Sequence, residues 1–272
     1  MLKQGARMCL APFYLNKYMS EVRKIILGDF DAITYFEGFK DQSFDKAVEG
    51  INDRLLKICE DVGTYDYVGF LTSGKNFRYG VANQARPYKG ARPKEKPELL
   101  TKLKQYMIDE LHCVYNTSLE ADDLVCYYKN NLKENTVICS TDKDVLKTVV
   151  GTHYNYQWKS FTDKGRFITT TPEEAEEFLW RQAIKGDSVD GIPGLPGVGD
   201  KTIDKWFTEK PDNIGFEEFV LSKYIKQLGS AEGICRFSET FRLVYLLKTP
   251  EDVMRETGLV LDKPVINRLV RD

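Results

Sequence analysis

Soft metal ligands are scarce in this chain of 272 residues, which has two histidines and six cysteines. His112 and His153 stand alone, and Cys9, Cys59, Cys113, Cys126, Cys139 and Cys235 are scattered singly. That excludes zinc-ligand spacing and a disulfide framework and leaves buried thiols as the expectation. Net charge is scarce as well. Lys and Arg number 39 against 41 Asp and Glu, a balance of −2, so only the distribution of charge can point to a partner. No apolar run approaches the roughly 20 residues that a membrane helix needs, so no membrane partner is expected. The first residues, Met1-Leu-Lys-Gln-Gly-Ala-Arg7, lead into no secretory core, and the expected location is cytoplasmic. Internal repeats and low-complexity tracts are absent. At 42% hydrophobic residues, the chain can bury one large core, or one core with a small appended domain.

What the chain does have is carboxylate in groups: Asp29-Phe-Asp31, Glu120-Ala-Asp122-Asp123, Asp142-Lys-Asp144 and Asp187-Ser-Val-Asp190. Each follows an apolar run or opens a helical one, which is where an α/β domain gathers side chains into a site. Oxygen ligands suit hard divalent cations such as Mg²⁺, and a pair of such cations can activate water and stabilise the leaving oxygen of a phosphodiester. Blander roles exist for each group. Glu120, Asp122 and Asp123 open a helix, where their charge favours the macrodipole, and Asp29 suits a cap or turn. Neither role explains the set. Asp142 and Asp144 share a face if the preceding strand runs through them, and Asp187 and Asp190 share one on a helical turn.

The pattern around these groups is that of a mostly parallel sheet flanked by helices. Ile25-Ile26-Leu27 and Tyr67 to Leu71 read as strands, and Phe44, Ala47, Val48, Ile51, Leu55, Ile58 and Val62 recur at helical spacing between them. Leu100, Leu103, Met107 and Leu111 mark a second helix, a third begins near Glu120, and Thr136 to Ser140 reads as a further strand. Asn155 to Phe161 and Arg166 to Thr170 flank the turn residues Asp163-Lys-Gly165 as a hairpin. Thr171-Pro-Glu-Glu174 predicts a helix start with a capping box, the helix running to about Lys185 and closed by Gly186 in a left-handed cap. Phe241 to Leu247 is most simply a core helix. The first 24 residues read as an extension, and a boundary is expected near Gly186.

Charge of one sign gathers only between residues 75 and 104. Lys75, Arg78, Arg86, Lys89, Arg92, Lys94, Lys96, Lys102 and Lys104 oppose Glu95 and Glu98 alone, interleaved with Phe77, Tyr79 and Tyr88. Such a segment can track phosphates and stack bases, or be a solvated loop; its place between two acidic groups favours the former. The stretch Gly191-Ile-Pro-Gly194-Leu-Pro-Gly197-Val-Gly199-Asp-Lys201-Thr202 can be a generic turn. It also fits a helix-hairpin-helix that grips a duplex backbone through N–H groups without reading bases.

In order, Asp29, Tyr88-Lys-Gly-Ala-Arg92, Glu120-Ala-Asp122-Asp123, Ser140-Thr-Asp142-Lys-Asp144, Gly186-Asp187-Ser-Val-Asp190-Gly191 and the Gly194 to Gly199 hairpin make the chain resemble the flap endonuclease and 5′→3′ exonuclease family, phage members above all. The likeness spans about Ile25 to Trp206. It implies a PIN-like α/β nuclease domain over 25–185 with a basic arch near 75–104, and a helix-hairpin-helix with a helical region over 186–272. It also implies two Mg²⁺ or Mn²⁺ ions, held by Asp29, Glu120, Asp122 and Asp123 on one side and Asp142, Asp144, Asp187 and Asp190 on the other, and K⁺ at the hairpin. Lys89 and Arg92 would act on the scissile phosphate. DNA would be held by Arg78, Arg86, Tyr88, Gly194, Gly197, Gly199, Lys201 and Thr202, with Tyr88 stacking a displaced base. The implied substrate is DNA with a 5′ flap, nick or free 5′ end, or an RNA–DNA hybrid, cut by a monomer in primer removal or DNA degradation; a phage-encoded chain would work in the host cytoplasm. One position departs from the family. Where an aspartate commonly follows the strand leading to the arch, this chain has Ser73, a poorer ligand for a hard cation. The alternatives are a non-catalytic DNA-binding protein on this scaffold and a PIN-type ribonuclease.

Overall fold

The computed structural model describes residues 23–83, 85–92, 95–132, 135–157 and 165–269. All but the last two residues of the expected N-terminal extension, together with Lys94 and the turn residues Asp163 and Lys164, lie outside them. The chain opens with β1 (Lys24–Asp29), α1 (Asp31–Gly38), α2 (Phe44–Val62), β2 (Asp66–Thr72), α3 (Arg78–Val81), α4 (Leu100–Asp109) and β3 (Val114–Asn116). Then follow α5 (Ala121–Asn131), β4 (Asn135–Ser140), α6 (Lys143–Thr148), β5 (Gly151–Asn155), β6 (Arg166–Thr170) and α7 (Pro172–Lys185). A two-residue ladder of β7 (Gly186–Asp187) and β8 (Ile192–Pro193) leads to α8 (Asp200–Thr208), α9 (Phe216–Leu228), α10 (Ser230–Val244) and α11 (Pro250–Thr257), and β9 (Asn267–Arg268) ends the described chain.

The main sheet has the order β3-β2-β1-β4-β5-β6, with β9 added to β2. Its pairings are parallel from β3 through β5, and antiparallel at β5–β6 and β2–β9. Strand periodicity sorts the apolar side chains onto two faces. Ile26, Tyr67, Leu71, Val137 and Cys139 enter a core with α2 and α4. Ile25, Leu27, Val68, Phe70 and Ile138 enter a second core with α5, α6 and the segment 246–253. Burial on both faces is why the strands read as unbroken apolar runs. Gly28 and Gly69 pair across β1 and β2, and a Cβ at either would stand within 2.6 Å of the Phe30 ring. Only glycine lets that ring fold back over the strands.

A third core lies in the helical half: Leu179, Trp180, Ala183 and Ile184 of α7 pack with Val220, Tyr224, Phe237 and Leu243, and Tyr88 joins them. Thr171 and Glu174 form the expected capping box with Pro172 in the first turn. The cap at the other end differs. Gly186 has φ 69° and ψ −165°, outside the left-handed helical region, and its missing Cβ leaves room for Gly194 N and Ile192 O, which would lie 2.3 Å away.

Two further expectations are corrected. The hairpin partner of β6 is Gly151–Asn155; of the expected strand 155–161, residues 158–161 lie outside the described residues, and Asn155 Oδ1 accepts the Gln157 N–H at 2.8 Å as the chain leaves β5. From Phe241 the helix α10 ends at Val244; Tyr245 is extended, and Leu246 and Leu247 lie outside any helix or strand.

Candidate active site

The parallel strands deliver the first acids. Asp29 ends β1 and is almost fully buried, as expected at the carboxyl edge of such a sheet. Ser140, the last residue of β4, is fully buried and links two acidic groups: its hydroxyl donates to Asp29 Oδ2 at 2.7 Å and accepts the Asp142 N–H at 2.9 Å. Tyr156 donates to the Asp29 carbonyl at 2.5 Å. The strand does not run through Asp142 and Asp144. Asp142 is the N-cap of α6 and accepts the Asp144 N–H at 2.7 Å, so a cap brings the two together. Asp187 and Asp190 likewise sit past the end of α7, in a turn where Asp187 Oδ1 accepts the N–H groups of Val189 (2.8 Å) and Asp190 (3.3 Å).

Several of the acids crowd one another. Burial pushes the Asp29 carboxyl up to about 7, with Asp31 and Asp142 adding repulsion that Ser140 partly offsets. Asp122 is pushed well above the carboxylate range by burial and by Asp29, Asp142 and Glu120. Burial, then Asp142 and Asp187, lift Asp144 to about 6. Asp144 Oδ1 is also buried without a hydrogen-bond partner. An all-oxygen donor set with raised pKa values and an orphaned carboxylate oxygen is what a hard divalent cation would relieve. Among the described residues no three His, Cys, Asp or Glu side chains are gathered closely enough to hold a metal ion as they stand.

Two further acids, Glu120 and Asp190, are neutralised from within. Glu120 is buried, and although burial pushes its carboxyl up, Arg78 and Lys89 hold it below the ordinary range. It accepts from Arg78 Nη1 at 3.3 Å, from the Tyr88 hydroxyl at 2.8 Å and from Lys89. Asp190 pairs with Arg92, Nε at 2.8 Å, and its carbonyl accepts the Lys89 N–H at 2.7 Å. That bond holds Lys89 at φ 55°, a conformation few non-glycine residues adopt. The segment carrying Tyr88, Lys89 and Arg92 is thereby seated against the acids, and residues 85–92 and 95–99 contain no helix.

Three sequence-based assignments change. Asp123 is fully buried, and its oxygens accept from Arg78 Nη1 (2.6 Å), Arg78 Nη2 (2.8 Å), the Leu247 N–H (3.1 Å) and the Glu120 N–H (3.3 Å). All four lone-pair directions of the carboxylate are taken, which leaves none for a cation. Arg78 is 1% exposed and cannot reach a phosphate. Tyr88 is 4% exposed and turned toward Glu120, so its ring offers no face to a base.

Arg86, Lys75, Lys96 and Lys102 are exposed, as a phosphate-tracking segment requires, whereas Lys104 is held on Asp31 (2.5 Å) and the Thr72 carbonyl (2.7 Å). Ser73 is exposed and donates to the Asn116 carbonyl at 2.8 Å. In the hairpin, Gly197, Gly199 and Lys201 are exposed and Thr202 half-buried in the first turn of α8. Gly194 has a packing role: a Cβ there would stand 2.3 Å from the Ile184 carbonyl. Sequence reasoning gave no role to Ser140 or Tyr156, and it did not foresee that Lys104 pairs with Asp31. Ser140 could have been found, since a small hydroxyl two residues before an N-cap acid suits this bond.

No protein-family profile matches the chain. It is 31% identical over 218 residues to the DNA polymerase I of Bacillus subtilis, covering 68% of this chain and 23% of that protein. With the DNA polymerase I of Rhizobium leguminosarum it shares 29% identity over 182 residues, covering 61% of this chain and 18% of that protein. The chain thus spans less than a quarter of the length of the curated relatives it matches. In fold it is similar to a T5 protein co-crystallised with metal ions, at 20% identity, 82% of this chain, 90% of that one and a TM-score of 0.57. It is similar also to a bacteriophage T5 flap endonuclease in complex with DNA and metal ions, at 18% identity, 85% and 93% coverage and a TM-score of 0.56. These likenesses bear out the resemblance to flap endonucleases and 5′-exonucleases, and the mostly parallel sheet with flanking helices is their fold.

Proposed function

We propose that the chain is a divalent-metal-dependent, structure-specific 5′ nuclease that hydrolyses DNA phosphodiesters and leaves 5′-phosphates. One observation carries the reading: acids from β1, α5, α6 and the turn after α7 crowd the carboxyl edge of the sheet, with Asp29, Asp122 and Asp144 raised and Asp144 Oδ1 orphaned. Asp29, Glu120, Asp122, Asp142, Asp144, Asp187 and Asp190 would hold two Mg²⁺ or Mn²⁺ ions. When bound, such ions supply charge stabilisation at the phosphate and an acidified water.

The chain's own residues supply the rest. Lys89 and Arg92 are now on Glu120 and Asp190, and a phosphate entering the cluster would exchange those carboxylates for its own oxygens. Guanidinium and ammonium groups so placed orient the scissile phosphate and offset its developing charge. Exposed Arg86, Lys96 and Lys102 would track the strand, and the turn from Gly194 to Thr202, read as a helix-hairpin-helix that binds K⁺, would grip the duplex backbone. The working division is a nuclease domain to about residue 185 and a duplex-gripping helical region beyond it. The substrates of this reading are 5′ flaps, nicks and free 5′ ends, in DNA or RNA–DNA hybrid, met during primer removal or DNA degradation.

The test is incubation of a 5′-labelled flap, a nicked duplex and an RNA–DNA hybrid, each with Mg²⁺, Mn²⁺ or EDTA. Metal-dependent product on at least one, absent in EDTA, is expected. No product on any would sink the enzyme reading and leave a DNA-binding protein on the same scaffold.

A further inference from the structure

Arg78 spends all five of its N–H donors inside the protein. Nη1 reaches Glu120 Oε2 (3.3 Å) and Asp123 Oδ2 (2.6 Å), and Nη2 reaches Asp123 Oδ1 (2.8 Å) and the Tyr245 carbonyl (2.9 Å). Nε donates to the Leu243 carbonyl at 3.0 Å, and the guanidinium lies 4.6 Å from the centre of the Phe77 ring. A solvated or DNA-facing arginine keeps donors free; this one has none left. Its two carboxylates belong to the start of α5, where Glu120 is the N-cap and Asp123 closes the capping box. Its two carbonyls belong to the end of α10 and the residue after it, and the Leu247 N–H returns to Asp123 at 3.1 Å. One turn earlier in α10, Thr240 donates to the Pro193 carbonyl of the hairpin at 2.6 Å.

We infer that Arg78, with Asp123 as its counterpart, is the positioning residue of the acidic site: it fixes the buried Glu120 carboxylate beside Asp122 and makes that position depend on the chain from 243 to 247. The inference rests on the nuclease reading. The geometry requires a planar fork, because two parallel N–H groups meet the two Asp123 oxygens while the outer face of the same guanidinium meets carbonyls from another element. A lysine at 78 would keep the charge and lose the fork. Groups that orient metal-holding side chains commonly change metal affinity by about 10- to 100-fold when altered.

The experiment uses the full chain as wild type, Arg78→Lys, Asp123→Asn and the double variant. Calorimetric titration with Mn²⁺ alone gives cation affinity, flap-DNA binding in Ca²⁺ gives nucleic-acid affinity, and a melting curve shows that each variant is folded. Expected is Mn²⁺ affinity weaker by about tenfold or more in each single variant, flap affinity within about twofold of wild type, and no further loss in the double variant, because both substitutions break one clamp. Asp123→Asn is nearly isosteric and decides the matter should Arg78→Lys fail to fold. Wild-type Mn²⁺ affinity in a folded variant overturns the inference, as does a loss confined to DNA affinity, which would make Arg78 a DNA contact after all. A wild-type chain that neither binds Mn²⁺ nor cuts any substrate sinks the nuclease reading and this inference together; wild-type binding and cutting with unaffected variants sinks the inference alone.

Discussion

Glu120 and Asp122 stand two residues apart at the start of α5, and burial acts on both, yet Glu120 ends below the ordinary carboxylate range and Asp122 far above it. The difference lies in what faces each one. Glu120 meets Arg78, Lys89 and Tyr88, whereas Asp122 meets chiefly Asp29, Asp142 and Glu120, with Lys89 as the lesser, opposing charge. The acidic site therefore has a half that the protein neutralises itself and a half left for something cationic from outside. Counting acids in a sequence cannot separate the halves; the positions of Arg78 and Lys89 do.

Neutralising one acid in each half is the most direct way to break this contrast. Both Asp122→Asn and Glu120→Gln should reduce cleavage, Asp122→Asn by about a thousandfold or more, since a catalytic cation is worth several kcal/mol and 1.36 kcal/mol is tenfold in rate. Their melting temperatures in EDTA should move in opposite directions. Asp122→Asn relieves repulsion and raises it; Glu120→Gln leaves buried Arg78 short of an anion and lowers it, breaking a buried pair costing about 3–5 kcal/mol. Shifts of the same sign would show that the two halves do not differ.

Lys89→Ala sharpens the contrast from the cationic side. Single-turnover cleavage should fall by about 10²- to 10³-fold, the range for removing one group that stabilises transition-state charge, while flap affinity in Ca²⁺ changes far less. Gly197→Ala should show the reverse pattern, since Gly197 has φ 71° and nothing near a new Cβ. Equal losses of rate and affinity in both would erase the distinction between chemistry and grip.

Proton linkage gives a third comparison. Asp29 and Asp144 are raised to about 7 and about 6, so between about pH 4 and 7 the folded chain holds protons that the unfolded chain has released. Their contribution is complete below the unfolded pKa and is lost as pH rises through those values. Glu120, held low, contributes the opposite way: its share is present above the ordinary carboxylate pKa and lost as pH falls through its folded value. In EDTA the melting temperature should decline from about pH 4 to pH 7, and saturating Mg²⁺ should flatten the decline. Calorimetric scans across that range check it, and a metal-independent slope would remove Asp29 and Asp144 from the cation site.

The smallest effect is expected at Ser73. Its hydroxyl is satisfied by Asn116 and exposed at the end of β2, so Ser73→Asp would add an acid at the rim, near Asp31 and its Lys104 partner. A modest drop in the Mg²⁺ concentration for half-maximal cleavage at pH 8 is expected. An unchanged midpoint would place residue 73 outside the site.

Much of this arrangement is legible in the sequence because it depends on periodicity and local chemistry. The face of α2 with Ala47, Ile51 and Leu55, the Thr171–Glu174 box and the alternation along β1 all follow from residue spacing. The illegible part depends on tertiary direction. Nine basic residues in one segment look alike in a string, and nothing local says that Arg78 turns inward while Arg86 turns out. Tyr88 reads as a stacking ring for the same reason. β9 and the register of β5 escape a sequence reading because a two-residue strand has no period, and because β5, covered on both faces, buries His153 and Tyr154 in succession.

The clamp on Arg78 has a consequence for the order in which the molecule is made. A ribosome delivers β1 to β6, and with them Asp29, Glu120, Asp122, Asp142 and Asp144, long before the Leu243 and Tyr245 carbonyls and the Leu247 N–H exist. Until those three groups emerge, Arg78 and Asp123 have each other but not the backbone that locks them, and the start of α5 stays unfixed. The growing chain can thus aim Asp29 and Asp142 early through Ser140, but the lock on Asp123 and Glu120 is completed only when most of its length has been synthesised.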